Sequence, residues 1–165
     1  MSVDYIVASL PALAFGEKAP ISWEGFVSAC GGAAPELPRE WSDLDTQMRN
    51  ALAEERGGAR FVRPASGCST YWRDRVRACF REEDVLRRDE MLDRVWWDAA
   101  GELTPPSLPL GAGALATYAV RLKIALKRSA MSDEEGIAAF DRLIDAAERV
   151  SREADAQGEV SGRAK

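Results

Sequence analysis

Apolar residues recur along this chain at steps of three and four, and that spacing limits its fold more than any motif does. Trp41, Leu44, Met48, Ala51 and Leu52 share one helical face. Leu92, Val95, Trp96, Ala99 and Leu103 share a second, and Leu115, Tyr118, Leu122, Ala125 and Leu126 a third. A last stripe runs through Ile137, Phe140, Leu143, Ile144, Ala147 and Val150. Such a stripe lies along one side of a helix and buries there. No alternating run bounded by turn residues argues for a sheet. The spacing predicts an all-α chain, a multi-helix array of about five to six helices.

Breaks between the stripes set the boundaries. Tyr5 to Leu10 is too short to show a period, so helix and extended chain both stand. Ser22 is a good N-cap, and Trp23 to Cys30 makes two turns before Gly31-Gly32 ends them. Pro38 suits the first residue of the next helix, which Gly57-Gly58 terminates. Phe61 to Ser69, with Pro64 and Gly67, reads as a loop. From Thr70 a stripe of Trp72, Val76, Cys79 and Phe80 resumes. Its phase shifts after Arg81-Glu82-Glu83-Asp84, which predicts a break near 82–85. Thr104-Pro105-Pro106-Ser107-Leu108-Pro109 cannot continue a helix and gives a Pro-rich linker near 104–110. Gly111 to Ser129 is a further helix, and Ser132-Asp133-Glu134-Glu135 is a capping box that opens the last one. The expected organisation is one helical domain over 1–150 and a frayed, flexible tail over 151–165, a stretch rich in polar and small residues.

The charge balance, −5 with a pI near 4.9, argues against general nucleic-acid binding. The longest apolar runs fall well short of the ~18 residues that span a bilayer, so direct membrane insertion is not expected. Met1-Ser2-Val3-Asp4 lacks the basic region of a signal peptide, and a cytoplasmic location is expected. Cys30, Cys68 and Cys79 are odd in number and form no C-x-x-C, so free, mostly buried thiols are expected. The chain has no histidine, which removes the commonest general base and the commonest transition-metal ligand. No catalytic, cofactor-binding or metal-binding residue stands out.

Charge is unevenly placed. Residues 56–81 hold seven arginines (56, 60, 63, 73, 75, 77 and 81) against Asp74, a local +6 that leaves −11 on the remainder. Arg73, Arg75, Arg77 and Arg81 then form a candidate docking patch for an acidic partner, because a guanidinium fork pairs two carboxylate oxygens at once. The plainer alternative, a face neutralised by the molecule's own acids, carries more weight. Trp41, Trp72, Trp96 and Trp97 are many tryptophans for this length. Trp96 and Trp97 are about 100° apart on a helix, so they cannot share one core line. One of them is a candidate partner anchor, against the plainer reading that both pack internally. Glu82, Glu83, Asp84, Asp89, Glu90 and Asp93 cluster, but interleaved Arg87, Arg88 and Arg94 make a salt-bridged surface the better reading than a cation site. Gly111-Ala112-Gly113 lacks the strand and the Lys-Ser/Thr of a phosphate loop, and no Walker motif exists.

The opening Tyr5-Ile6-Val7-Ala8-Ser9-Leu10-Pro11-Ala12-Leu13-Ala14-Phe15-Gly16 resembles an uncharacterised bacterial protein family encoded beside V/A-type ATP synthase subunits. A second block, Asp84 to Asp98, is similar to the middle segment of that family, where Leu92-Asp93-Arg94 precedes Trp97-Asp98. A looser third block runs from Leu115 to Phe140 through Tyr118, Leu122, Ile124 and Gly136. Val85 stands where the family has proline, and 101–113 is richer in proline. The family also resembles, more faintly, the helical C (eukaryotic d) subunit of V/A-type ATPases. The resemblance implies a non-catalytic helical accessory or stalk-type component of a proton- or sodium-translocating ATPase. Its partners would be stalk or ring subunits, with no cofactor, and it would lie peripheral to the membrane through that complex. The alternative is a free-standing helical adaptor with no ATPase contact.

Overall fold

The computed structural model describes residues 2–131, 136, 141–145 and 149. Among them there is no strand, and the chain is all-α. Over residues 2–131 six α-helices follow in order: α1 (Val3–Ser9), α2 (Trp23–Ala29), α3 (Arg39–Glu55), α4 (Thr70–Cys79), α5 (Val85–Ala100) and α6 (Ala112–Ser129). Short 3₁₀ turns cover Ala59–Phe61 and Gly101–Leu103.

The choice left open at the N-terminus resolves to helix. Ser2 caps α1 by accepting the Tyr5 N–H, and Ser22 caps α2 by accepting the Gly25 N–H at 3.1 Å. The break expected near 82–85 falls between Cys79 and Val85, where the Asp84 carboxylate caps α5 through the Arg87 N–H at 2.9 Å. Gly57 ends α3 with φ +71°, a conformation glycine adopts without Cβ strain, and the Gly58 N–H returns to Ala53 O at 2.7 Å.

The chain divides into two compact units, Met1–Arg128 and Ser129–Lys165. The first holds two apolar clusters. One joins α3 (Trp41, Met48, Ala51), α4 (Trp72, Val76, Cys79) and α5 (Leu92, Val95, Ala99, Ala100) with Val120. The other joins Ile6 of α1 and Phe26 of α2 to Leu115, Ala119 and Leu122. α6 therefore serves both clusters from different faces. Its alanines at 114, 116, 119 and 125 are buried and let neighbours approach closely.

Gly113 marks the tightest of these approaches. A Cβ there would collide with the Leu103 carbonyl oxygen, so the glycine is needed for packing at the start of α6. The proline-containing segment 104–110 is non-helical, as expected, and is tied back by Thr117. Its hydroxyl pairs with Thr104 Oγ1 at 2.7 Å and donates to Ala100 O at 2.8 Å.

In the second unit, residues 136, 141–145 and 149 are helical. Leu143 and Ile144, expected on a buried stripe, are exposed. Spacing alone creates an apolar stripe without supplying a surface to cover it. The capping box at 132–135 and the tail at 151–165 lie outside the described residues.

Candidate docking surface and the arginine segment

Helical spacing puts Arg73 and Arg77 on one face of α4, and that face lies along the acidic end of α3. Glu54 Oε2 accepts Arg77 Nη2 at 2.9 Å and has Arg73 Nη2 at 3.7 Å. Arg77 also reaches Glu55 at 3.7 Å and Asp74 at 3.4 Å. The hydrogen bond that Arg77 donates to Glu54 is the chief reason that the Arg77 pKa is raised. Arg75, offset on the helix, turns to α5 and meets Asp98 Oδ2 at 3.0 Å, while Arg94 takes the other oxygen at 3.2 Å. Its guanidinium also sits 5.1 Å from the Trp72 ring centroid. Arg81 is exposed and has no side-chain partner among the described residues.

Of the four arginines of the candidate patch, Arg73, Arg75 and Arg77 thus follow the plainer alternative, and Arg81 alone of the four stays open. Three are half-buried and paired internally, because α3 and α5 bring Glu54, Glu55 and Asp98 against them. Both candidate tryptophans are also engaged within the first unit. Trp96 is half-buried and donates from Nε1 to Asp45 Oδ1 at 2.7 Å. Trp97 is buried, stacks edge-on to Phe15 at 5.5 Å and carries Arg121 over its ring at 5.2 Å. The ~100° step between neighbours sends one indole towards α3 and the other towards the N-terminal segment.

The acidic cluster is bridged, though partly by other residues than expected. Lys127 of α6 meets Asp93 at 2.8 Å and Asp89 at 3.2 Å, and Arg128 meets Glu90 and Asp93 at 3.5 and 3.6 Å. Burial lowers the Lys127 pKa, but the hydrogen bonds to Asp93 and Asp89 outweigh it, and the net shift is upward. No group of side chains able to hold a metal ion occurs among the described residues. Of the thiols, Cys79 is buried and Cys30 half-buried, both with pKa raised by burial. Cys68, on the loop before α4, is exposed.

Exposed cationic and apolar groups also lie together elsewhere. At the α4–α5 corner, Arg81 is followed by Val85 and Leu86, which are 63% and 77% exposed. Beside α3, a cleft is lined by Arg49, Arg56, Arg63 and Phe61. Helical spacing singles out the α4 arginines because it defines a face. Arg49, Arg56 and Arg63 come from a helix, its C-cap and a loop, and no spacing rule joins them. The one usable signal in the sequence is that Arg56, Arg60 and Arg63 have no acid between them.

The segments that carry the family resemblance converge in space. Phe15 of the opening packs on Trp97 of the middle block, and Arg94 lies over the Phe15 ring at 4.9 Å. Tyr118 of the third block donates its hydroxyl to Pro11 O at 3.0 Å and stacks on Phe26. No protein-family model, no curated protein and no solved structure matches the chain.

Proposed function

We propose that the chain is a non-catalytic helical accessory or stalk-type component of a bacterial V/A-type ATPase. What supports this reading is the convergence just described. Residues of the opening, middle and third blocks, up to 107 positions apart in sequence, meet around Phe15, Trp97 and Tyr118. A motif that builds one packed unit is a stronger basis for resemblance than scattered matches, since those residues are coupled by contact. A component of this kind works through rigid shape and surface complementarity and needs no reactive group.

The docking element we propose is the α4–α5 corner. Arg81 supplies a fork with no side-chain partner among the described residues for an acidic group, and Val85 with Leu86 supplies exposed apolar area beside it. Arg73, Arg75 and Arg77 hold the helices that present this corner. No helix among the described residues is long and apolar enough to cross a membrane, so attachment through an ATPase complex is part of the same proposal.

The test is affinity capture of the tagged chain from its native cell, with the co-purifying proteins identified. Enrichment of ATPase stalk or ring subunits is expected, together with its loss in a folded Arg81→Glu/Leu86→Asp variant. Capture with no ATPase subunit would overturn the reading and leave the free-standing adaptor.

A further inference from the structure

The segment from Gly58 to Arg63 folds back beside the C-terminal half of α3 and leaves a cleft of about 520 Å³. The helix fixes its frame. Asn50 donates to Arg63 O at 2.7 Å and accepts the Arg63 N–H at 2.8 Å. About one turn earlier, Gln47 donates to Ser66 O at 2.7 Å and accepts the Ser69 N–H at 2.6 Å. A side-chain amide used in both directions gives a loop the partner that a neighbouring strand would give. The position of Arg63 is therefore set by its own main chain and does not depend on its guanidinium.

The charge in the cleft is unbalanced. Arg49, Arg56 and Arg63 line it with a single acid, Asp45. Both oxygens of Asp45 are already engaged, Oδ2 by Arg49 Nε and Oδ1 by Trp96 Nε1, each at 2.7 Å. Arg56 and Arg63 are exposed, and neither pairs with an acid among the described residues. Two guanidinium forks with no ion pair among the described residues thus share one concavity in a chain of net charge −5. The remaining wall is apolar, with Leu52, Ala53 and Phe61. Phe61 is 63% exposed, an unusual position for a phenyl ring beside a cleft, and Arg60 lies 4.8 Å from its centroid.

We propose that this cleft binds a small phosphate-bearing ligand with a planar ring, the chemical class to which nucleotides belong. A guanidinium pairs two phosphate oxygens at once, and two forks on a fixed frame suit more than one such group. The exposed phenyl face suits stacking of a flat ring. The volume lies within the roughly 300–1,000 Å³ of small-ligand sites. An acidic peptide would satisfy the same arginines but brings no flat ring to Phe61, so the ring separates the two. This inference stands apart from the ATPase reading.

Isothermal titration calorimetry of the full chain tests it, with ATP, tripolyphosphate, adenosine and a polyglutamate peptide as probes. ATP is expected to bind, tripolyphosphate to bind more weakly and adenosine not to bind detectably. Raising salt weakens both phosphate ligands as screening shortens the reach of the charges. Arg56→Ala/Arg63→Ala should weaken ATP at least roughly tenfold, since each charge-assisted pair contributes on that scale. Phe61→Ala should weaken ATP and leave tripolyphosphate unchanged. Arg39→Ala, which removes an exposed guanidinium at the other end of α3, should change neither and controls for net charge. Circular dichroism confirms that each variant is folded. Failure of ATP to bind at millimolar concentration would overturn the proposal. So would ATP binding undiminished in folded Arg56→Ala/Arg63→Ala, or tighter binding of polyglutamate than of ATP. Equal affinity for ATP and tripolyphosphate with Phe61→Ala silent would overturn the role given to the ring.

Discussion

The arginine-rich segment divides into two halves that use the same side chain in opposite ways. On α4, Arg73, Arg75 and Arg77 are half-buried and spend their charge on Glu54, Glu55 and Asp98 of the flanking helices. In the loop and cap before it, Arg56 and Arg63 stay exposed and unpaired among the described residues, beside a cleft. Composition cannot tell these halves apart. What separates them is the neighbour. A helix face at fixed distance from two acidic helices has its charges compensated by packing, whereas a loop pinned only through its main chain leaves its side chains available. Local net charge therefore says where a partner surface could form. Packing then decides which of those charges remain to form it.

If that contrast is right, the largest effect should come from the residue that creates the loop half. Gln47 is buried and ties both Ser66 and Ser69 to α3. Gln47→Ala removes two hydrogen bonds that hold the loop to α3, at a cost of about 0.5–1.5 kcal/mol each. Chemical denaturation should show the loss, and hydrogen exchange should rise over 63–69 more than over α4. Uniform exchange across both regions would mean that the loop is not held as argued. Next in size is Arg75→Ala. It removes a partly exposed pair of about 0.2–1 kcal/mol and a cation–π contact of about 0.5–1 kcal/mol. A stability loss near 1 kcal/mol is expected, and none at all would erase the distinction between the halves.

How far this arrangement could be read from sequence varies by element. Trp41, Met48 and Ala51, Trp72, Val76 and Cys79, and Leu92, Val95 and Ala99 are buried where the helical period put them, because burying an amphipathic face is what stabilises a helix of that length, whereas Leu44, Leu52, Phe80, Trp96 and Leu103 of the same stripes are half-buried and Trp97, off the expected line, is buried. Ser22 caps as expected, since a cap is a contact over three residues. The internal pairing of the arginines was legible as an alternative, but not its partners. Glu54 lies 23 positions from Arg77 and Asp98 lies 23 from Arg75, and only helix packing sets those distances. Gly113 shows the same limit, for its role rests on a carbonyl from a different turn of chain. The cleft was illegible for a further reason. The two amides that fix its loop, Gln47 and Asn50, look in sequence like ordinary polar positions on an amphipathic helix.

A smaller effect tests the α4 half by itself. A double-mutant cycle on Glu54 and Arg77 should give a coupling of about 0.5 kcal/mol, because both side chains remain more than a third exposed and solvent screens the pair. The coupling should shrink at 1 M salt, where the Debye length is about 3 Å. A coupling that is zero at low salt would place Arg77 with the loop arginines and would return it to the docking patch.

The smallest expected effect is the sharpest test of the comparison. Arg56→Ala and Arg63→Ala should each change stability by no more than about 0.5 kcal/mol, the range for surface substitutions that break no buried contact. The Asn50 clamp holds the main chain of Arg63, and Arg56 contributes its N–H to the end of α3 whatever its side chain is. Neither substitution removes an ion pair found among the described residues. Each instead removes a cation from the loop cluster of Arg56, Arg60 and Arg63, so a slight gain in melting temperature at low salt is the expected sign. That gain should vanish at high salt, since it rests on repulsion between exposed like charges. A clear loss of stability would show that these guanidinium groups support the fold, as those on α4 do. A neutral result with impaired ATP binding would instead mark them as charge held for a ligand.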